Sequence, residues 1–274
     1  MSQRLLFGDF LKISDTLPND SVHLFIIDPP YLIDYKDWDK QNETFLIDWV
    51  NICINKISPN GTMWIFMAKD NLFTHDTCKP GLVNLLQLYG TVHLENWVTW
   101  SRQKGRGSSK HLKSQREELI HFTKHPTDYT WNNLKVIREV IVPYVKDGRA
   151  RGWFLNEKGQ RVRWTGLGNS WVFSQPQWNG RLDKQRHTAQ KPFLLYERLL
   201  LLSSNPGNSV VDPFAGSFTL AHVCKYHHRD YVGFENNGKI FYENSAYFYD
   251  HYKDVIKAYE EEKRSFINST PQEV

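Results

Sequence analysis

The stretch Val22-His23-Leu24-Phe25-Ile26-Ile27-Asp28-Pro29-Pro30-Tyr31 decides how this chain is read. A β-rich apolar run that halts at two prolines reads as a buried strand whose ladder ends where the backbone loses its N–H donors. In an α/β sheet, ligands bind beyond the carboxyl ends of the strands, so Asp28, Pro29, Pro30 and Tyr31 stand where chemistry is expected. Asp28 can accept hydrogen bonds, Pro29 offers a carbonyl and no donor, and Tyr31 presents a flat face. Together they suit an exocyclic amino group on an extruded, stacked base.

A second constellation lies far along the chain. Ser209 to Val211 reads as a strand running into Asp212-Pro213-Phe214-Ala215-Gly216-Ser217-Phe218, followed by a helix through Lys225 and a strand from Tyr231 to Phe234 that ends at Glu235. Glu235 lies 19 positions beyond Gly216, the spacing expected when a nucleoside lies over the turn and a carboxylate at the next strand end holds its ribose. The chain has no Gly-x-Gly-x-x-Gly at this turn, which argues against NAD.

Around these two strand ends the remaining elements read as follows. Gln3 to Gly8 is a strand, Phe10 to Leu17 a helix closed by Pro18, and Tyr31 to Thr44 a mobile loop. Thr44 to Ile57 is a helix stopped by the turn signal Ser58-Pro59-Asn60-Gly61, and Thr62 to Ala68 is a buried strand. Residues 71 to 89 contain a helix after Pro80, Thr91 to Trp100 is a strand, and Ser101 to Arg116 reads as a flexible cationic loop. Glu118 to Lys124 is a strand and Pro192 to Ser203 an apolar helix. A long helix from Lys239 to Phe266 buries Ile240, Phe241, Tyr247, Phe248, Val255 and Tyr259.

The formal net charge of the 274 residues is only +4, but it is unevenly placed. Residues 101 to 191 carry 19 Lys and Arg against 7 Asp and Glu, and five of the ten tryptophans. Clustered cations interleaved with aromatic rings imply a polyanion partner, with Arg102, Lys104, Arg106, Lys110, Lys113 and Arg116 as the candidate nucleic-acid contacts. Three scattered cysteines, Cys53, Cys78 and Cys224, argue against a disulfide framework and against a zinc site. No metal is expected. No apolar run approaches the length of a membrane span and no leader is recognisable, so a cytoplasmic protein is expected.

With both constellations in hand, the chain resembles the amino-methyltransferases that modify adenine N6 or cytosine N4 in DNA. Asp28 to Tyr31 matches their Asp-Pro-Pro-Tyr, and Phe214 to Phe218 matches part of their Phe-x-Gly-x-Gly. The order of catalytic motif, recognition region and cofactor motif is that of the β class. Asn96 to Trp100, Arg116-Glu117-Glu118 and Gly168 to Phe173 are further similar to the adenine methyltransferases of restriction–modification systems typified by RsrI and MboII.

The resemblance implies a circularly permuted methyltransferase fold: a seven-stranded, mostly parallel sheet with helices on both faces and one antiparallel strand, the first strand lying beside the last. Residues 1–125 and 187–274 would form the catalytic domain, and 126–186 a small inserted target-recognition region of irregular β and coil. It implies S-adenosyl-L-methionine as cofactor, held by Asp9, Lys191, Asp212, Phe214, Gly216, Ser217 and Glu235, with Asp28, Pro29, Pro30 and Tyr31 as the catalytic set. It implies double-stranded DNA as partner, and it leaves both a functional pairing with a restriction endonuclease and a homodimer open.

Adenine N6 is the expected target, because the cytosine-N4 branch commonly has Ser at the position of Asp28. Cytosine-N4 methylation, methylation of RNA or of a protein glutamine, and a non-catalytic DNA-binding subunit of the same fold stay open as alternatives. Phe218 stands where the family has its second glycine. The expectation is that the turn takes ordinary dihedrals there and that the ring faces the sheet or shields the cofactor.

Overall fold

The structure is a computed structural model describing residues 2–31, 44–67, 90–139, 145–146, 149–150, 153–156, 158–176 and 186–269. In chain order the strands and helices are β1 (Gln3–Phe7), α1 (Phe10–Ile13), β2 (Val22–Ile27), α2 (Phe45–Lys56), β3 (Ile57–Met67), β4 (His93–Ser108) and β5 (His111–Thr123). Short strands follow: β6 (Lys135–Glu139), β7 (Val145–Lys146), β8 (Arg149–Ala150), β9 (Phe154–Leu155), β10 (Arg161–Gly166) and β11 (Ser170–Val172). The chain then forms α3 (Phe193–Ser203), β12 (Ser209–Asp212), α4 (Thr219–Tyr226), β13 (Asp230–Glu235) and α5 (Gly238–Ser269).

The main sheet has the order β1-β13-β12-β2-β3-β5-β4-β11. Its pairs are parallel except those of β5, which runs antiparallel to both β3 and β4. The permutation expected from motif order is present: β1 pairs in parallel with β13, Gln3 opposite Tyr231 and Phe7 opposite Glu235. Both faces are covered, which is why β2, His23 apart, is apolar instead of alternating. Its Leu24 and Ile26 face the core beneath α3, α4 and α5, while Phe25 and Ile27 face the core beneath α1 and α2. Along α5, Phe248, Val255 and Tyr259 are buried as the periodicity requires and Asn244 joins them, whereas Ile240, Phe241 and Tyr247 are only partly buried.

Several sequence expectations need correction. The helix expected from Phe10 to Leu17 is shorter, giving way to a 3-10 turn over Ser14–Thr16. Ser58-Pro59-Asn60-Gly61 does not end the chain segment in a turn but is carried inside β3, where the register against β2 slips between Val22 opposite Ile57 and Leu24 opposite Thr62. A Cβ on Gly61 would lie 2.7 Å from the Val22 carbonyl oxygen and 2.6 Å from Ile57 Cγ1, so this bulge can be built only on glycine.

Ser101 to Arg116 is not a flexible loop: it forms the outer half of a β4–β5 hairpin, Ser101 opposite Arg116 and Ser108 opposite His111. Composition alone concealed this, because the strands are held by pairing with each other and not by an apolar face. The sheet also gains an eighth strand. Ser170–Val172, from the segment expected to stand apart as an insertion, pairs in parallel with Thr99 to Ser101. The rest of that segment includes a three-stranded antiparallel sheet, β6-β10-β9, and the small β7-β8 pair. The loop expected over Tyr31 to Thr44, apart from its ends, and the helix expected after Pro80 lie outside the described residues. Among the described residues no helix is long and apolar enough to cross a membrane.

Candidate active site at the strand ends

Asp28 follows β2 directly, and the two prolines that end the ladder hold it over the carboxyl edge of the sheet, with Pro29 buried and Pro30 partly so. Its carboxylate is engaged on both oxygens. Lys191 Nζ donates to Oδ2 at 2.6 Å and the Tyr31 hydroxyl contacts Oδ1 at 3.0 Å. Lys191 also lies 3.4 Å from Glu117 Oε2, and the Tyr31 hydroxyl 3.1 Å from the same oxygen. Arg102 closes the group, donating from Nη1 to Glu117 Oε1 at 3.0 Å. Two carboxylates and two cations, all largely buried, are thus paired with one another, the arrangement that makes buried charge tolerable.

The electrostatics follow from that burial. Burial raises the Asp28 carboxyl above its ordinary value, the Lys191 ammonium works against this, and Glu117 adds to it. Burial alone would lower Lys191, but Asp28 and Glu117 beside it leave the ammonium raised and charged. The Tyr31 phenol is pushed well up by burial, by Asp28 and by Glu117. It has one proton for two carboxylates, so it donates to one of them at a time.

At the neighbouring strand ends the second constellation assembles as expected in part. The Glu235 carboxylate accepts the Gly216 N–H at 3.0 Å and the Asn237 N–H at 2.7 Å, tying the turn after β12 to the end of β13. Asp9 follows β1, beside Glu235, through the bond from the Gly8 N–H to the Glu235 carbonyl at 3.0 Å, and caps α1 by accepting the Leu11 N–H at 3.1 Å. Phe214 packs among Phe10, Phe45 and Trp49 on the α1 and α2 side of the sheet. Ser217 is buried, its hydroxyl 2.9 Å from that of Thr219.

Asp212 turns under the loop. It accepts the Phe214 N–H at 3.2 Å, and burial, opposed by that N–H and supported by Asp28, lifts its carboxyl to about 8. The Asp212 carboxyl is thus buried and bonded to the backbone of the turn itself. The Lys191 ammonium sits on Asp28, bringing together two residues 163 positions apart in sequence.

Phe218 overturns the dihedral expectation. It adopts φ 54° and ψ 27°, the left-handed region, at the N-cap of α4. The ring is fully buried and meets Phe241 of α5 edge-on at 5.9 Å.

Of the candidate nucleic-acid contacts, Lys110, Lys113 and Arg116 are exposed on the outer hairpin, Arg116 63% exposed while 3.2 Å from Glu118. Arg102 donates to Glu117 and joins the cluster of Asp28, Lys191 and Glu117. Lys104 and Arg106 lie on β4, and their side chains are outside the described set. Glu117, absent from the expected catalytic set, was visible in sequence only as part of Arg116-Glu117-Glu118. Nothing in its spacing from Asp28 announced the contact. His187 is a further newcomer, its ring 3.5 Å from where a Cβ on Gly216 would stand.

Comparison with known proteins agrees with this geometry. The DNA methylase family N6_N4_Mtase matches residues 22–247. The type II methyltransferase M1.MboII of Moraxella bovis is 33% identical over 261 residues, covering 88% of this chain and 92% of the relative. M.HpaI of Haemophilus parainfluenzae is 30% identical over 245 residues, covering 86% and 71%. The DNA adenine methyltransferase YhdJ of Escherichia coli K12 is 30% identical over 255 residues, covering 87% and 80%. Among solved structures, the cytosine-N4-specific PvuII DNA methyltransferase superposes with a TM-score of 0.62 at 15% identity, covering 95% of this chain and 92% of the other. Strand ends carrying Asp28 and Glu235, the family match over most of the chain and these relatives together show that the chain belongs to the N6/N4 DNA amino-methyltransferases.

Proposed function

We propose that this protein transfers a methyl group from S-adenosyl-L-methionine to the N6 amino group of adenine in double-stranded DNA. The observation that carries the reading is Asp28, a carboxylate held over the sheet edge next to Tyr31. The relative YhdJ is named a DNA adenine methyltransferase, which supports the same base. The cofactor fits the second constellation. Gly216 has φ 51°, its N–H is held by Glu235, and the Glu235 carboxylate keeps lone pairs beyond its bonds to the backbone of Gly216, Asn236 and Asn237. Asp9, Lys191, Phe214, Gly216, Ser217 and Glu235 would hold the cofactor, with Asp212 supporting the turn from below. When bound it supplies a methyl group activated by a sulfonium.

The chain's own residues act on the amine. Its lone pair is delocalised into the base, which makes it a weak nucleophile. Accepting its hydrogens on Asp28 and the Pro29 carbonyl draws the nitrogen toward tetrahedral geometry and frees the lone pair. Tyr31 supplies a face on which the flipped base stacks. Methylation costs the amine one proton, which Asp28 would accept. Orientation and fixed charges in a dry pocket provide the acceleration. Residues 126–186 serve as the target-recognition region and the cations of the β4–β5 hairpin track phosphates.

Sequencing of genomic DNA from a host expressing the protein, with detection of modified bases, tests this. N6-methyladenine at one recurring sequence is the expected result. N4-methylcytosine there would move the protein to the other branch, and unmodified DNA would overturn the catalytic reading.

A further inference from the structure

The geometry points to Glu117 as a positioning residue of the transfer step, one that anchors the Tyr31 hydroxyl and offers Lys191 a second carboxylate so that Asp28 is released to the incoming amino group. The inference rests on the functional reading above and adds to it a residue that belongs to neither strand-end motif.

An ammonium 2.6 Å from Asp28 Oδ2 occupies an acceptor oxygen that the target amine would use. The same ammonium is 3.4 Å from Glu117 Oε2. A lysine head has three donors on a flexible stem, so passing from one carboxylate to the other takes a small torsional change and never leaves the charge unpaired. Glu117 is well placed to receive it. Its backbone is fixed in β5 opposite Trp100, and its other oxygen is held by Arg102 at 3.0 Å.

Tyr31 depends on the same residue. Its hydroxyl touches Asp28 at 3.0 Å and Glu117 at 3.1 Å, which pins the far end of the ring's long axis. A target base stacked on that ring is placed by this anchor. Because the amine must approach the methyl donor in line, a misplacement of about 1 Å is worth on the order of a hundredfold in rate. The groups facing Asp28 are Lys191 and Tyr31 in contact, Glu117 on the far side of both with Arg102 behind it, and Tyr196 and Asp212 at longer range. Glu117 is among the influences that raise the Asp28 carboxyl, so neutralising it shifts the acid limb of kcat to lower pH.

The experiment compares Glu117→Gln, Glu117→Ala, Tyr31→Phe and the Glu117→Ala/Tyr31→Phe pair in steady-state methylation of duplex DNA carrying the mapped site. Expected are a fall in kcat of about tenfold for Gln and about a hundredfold for Ala, with KM for DNA and cofactor within about threefold. The acid limb of the kcat profile moves down in pH for both. The pair costs less than the product of the single effects, because both substitutions remove one contact. Unchanged kcat, a loss confined to KM, or fully multiplicative effects would each overturn the assignment.

A second arm does not depend on activity. NMR of protein carrying 13C at tyrosine Cζ, with the Tyr31 signal identified by its absence in Tyr31→Phe, should show that signal displaced in Glu117→Ala, or in Glu117→Gln if the alanine variant does not fold. If wild type transfers no methyl group, the functional reading falls and this arm alone judges Glu117. A Tyr31 signal that stays in place would overturn the anchor.

Discussion

Replacing Phe218 by glycine sets two effects of known sign against each other. Its φ of 54° lies in the left-handed region, where a side chain costs roughly 1–2 kcal/mol that glycine does not incur. Its ring is fully buried and packs against Phe241, and truncating such a ring costs about 3–5 kcal/mol. Burial wins. Phe218→Gly should therefore lose about 1–4 kcal/mol, the smaller recovery taken from the larger cost, and Tm should fall by roughly 3–12 °C for a chain of this size. Phe218→Ala separates the two effects. Alanine loses the ring and keeps the left-handed backbone, so it should be less stable than glycine by about 1–2 kcal/mol. Urea unfolding of the three proteins, with calorimetry of S-adenosyl-L-methionine on each, is the assay. Cofactor affinity should change by less than about tenfold, or 1.4 kcal/mol, since the ring points away from the turn's open side into the core. A glycine variant more stable than wild type, or an alanine variant equal to glycine, would refute the reasoning.

Asp28→Ala should abolish methylation and leave duplex affinity nearly unchanged, as measured by labelled-methyl transfer and fluorescence anisotropy; more than a few per cent residual activity would sink its role. Replacing Lys110, Lys113 and Arg116 together by Ala should lower the slope of log affinity against log salt by up to about 0.9 per phosphate contact removed. These three test the hairpin better than Arg102, whose loss would take the partner from Glu117 Oε1 and disturb the Asp28 cluster. An unchanged slope would place the DNA elsewhere. Asp212 is raised to about 8 from an unfolded value near 3.8. A raised acid favours the folded state most below its unfolded value, so its contribution is lost as pH rises from about 4 to about 8. Asp212→Asn should remove that decline, and unfolding by urea at pH 5 and pH 8 would show a smaller difference for the variant than for wild type.

Local signals account for what could be read without a structure. The run from Val22 to Ile27 is apolar on both faces and halts at two prolines, and a short stretch of that kind is almost committed to a covered parallel strand. Gly216 and Glu235 announced their turn and strand end by a spacing that one βαβ unit enforces, and the two are indeed bonded at 3.0 Å. The order of these motifs, through the resemblance it carried, placed the first strand beside the last.

What the sequence could not contain is the outcome of contacts between distant segments. Ser101 to Arg116 is polar and cationic along its length, so no periodicity marks it as β; it is strand because β4 and β5 pair with each other. Ser170–Val172 is too short to read as a strand until an edge of the sheet is there to receive it. The backbone at Phe218 is left-handed because the packed turn and the buried ring together demand it, against the residue's own preference. Lys191 and Glu117 reach Asp28 only after the sheet has closed, because a cation and two carboxylates buried together must pair, and nothing but the tertiary fold decides which ones meet.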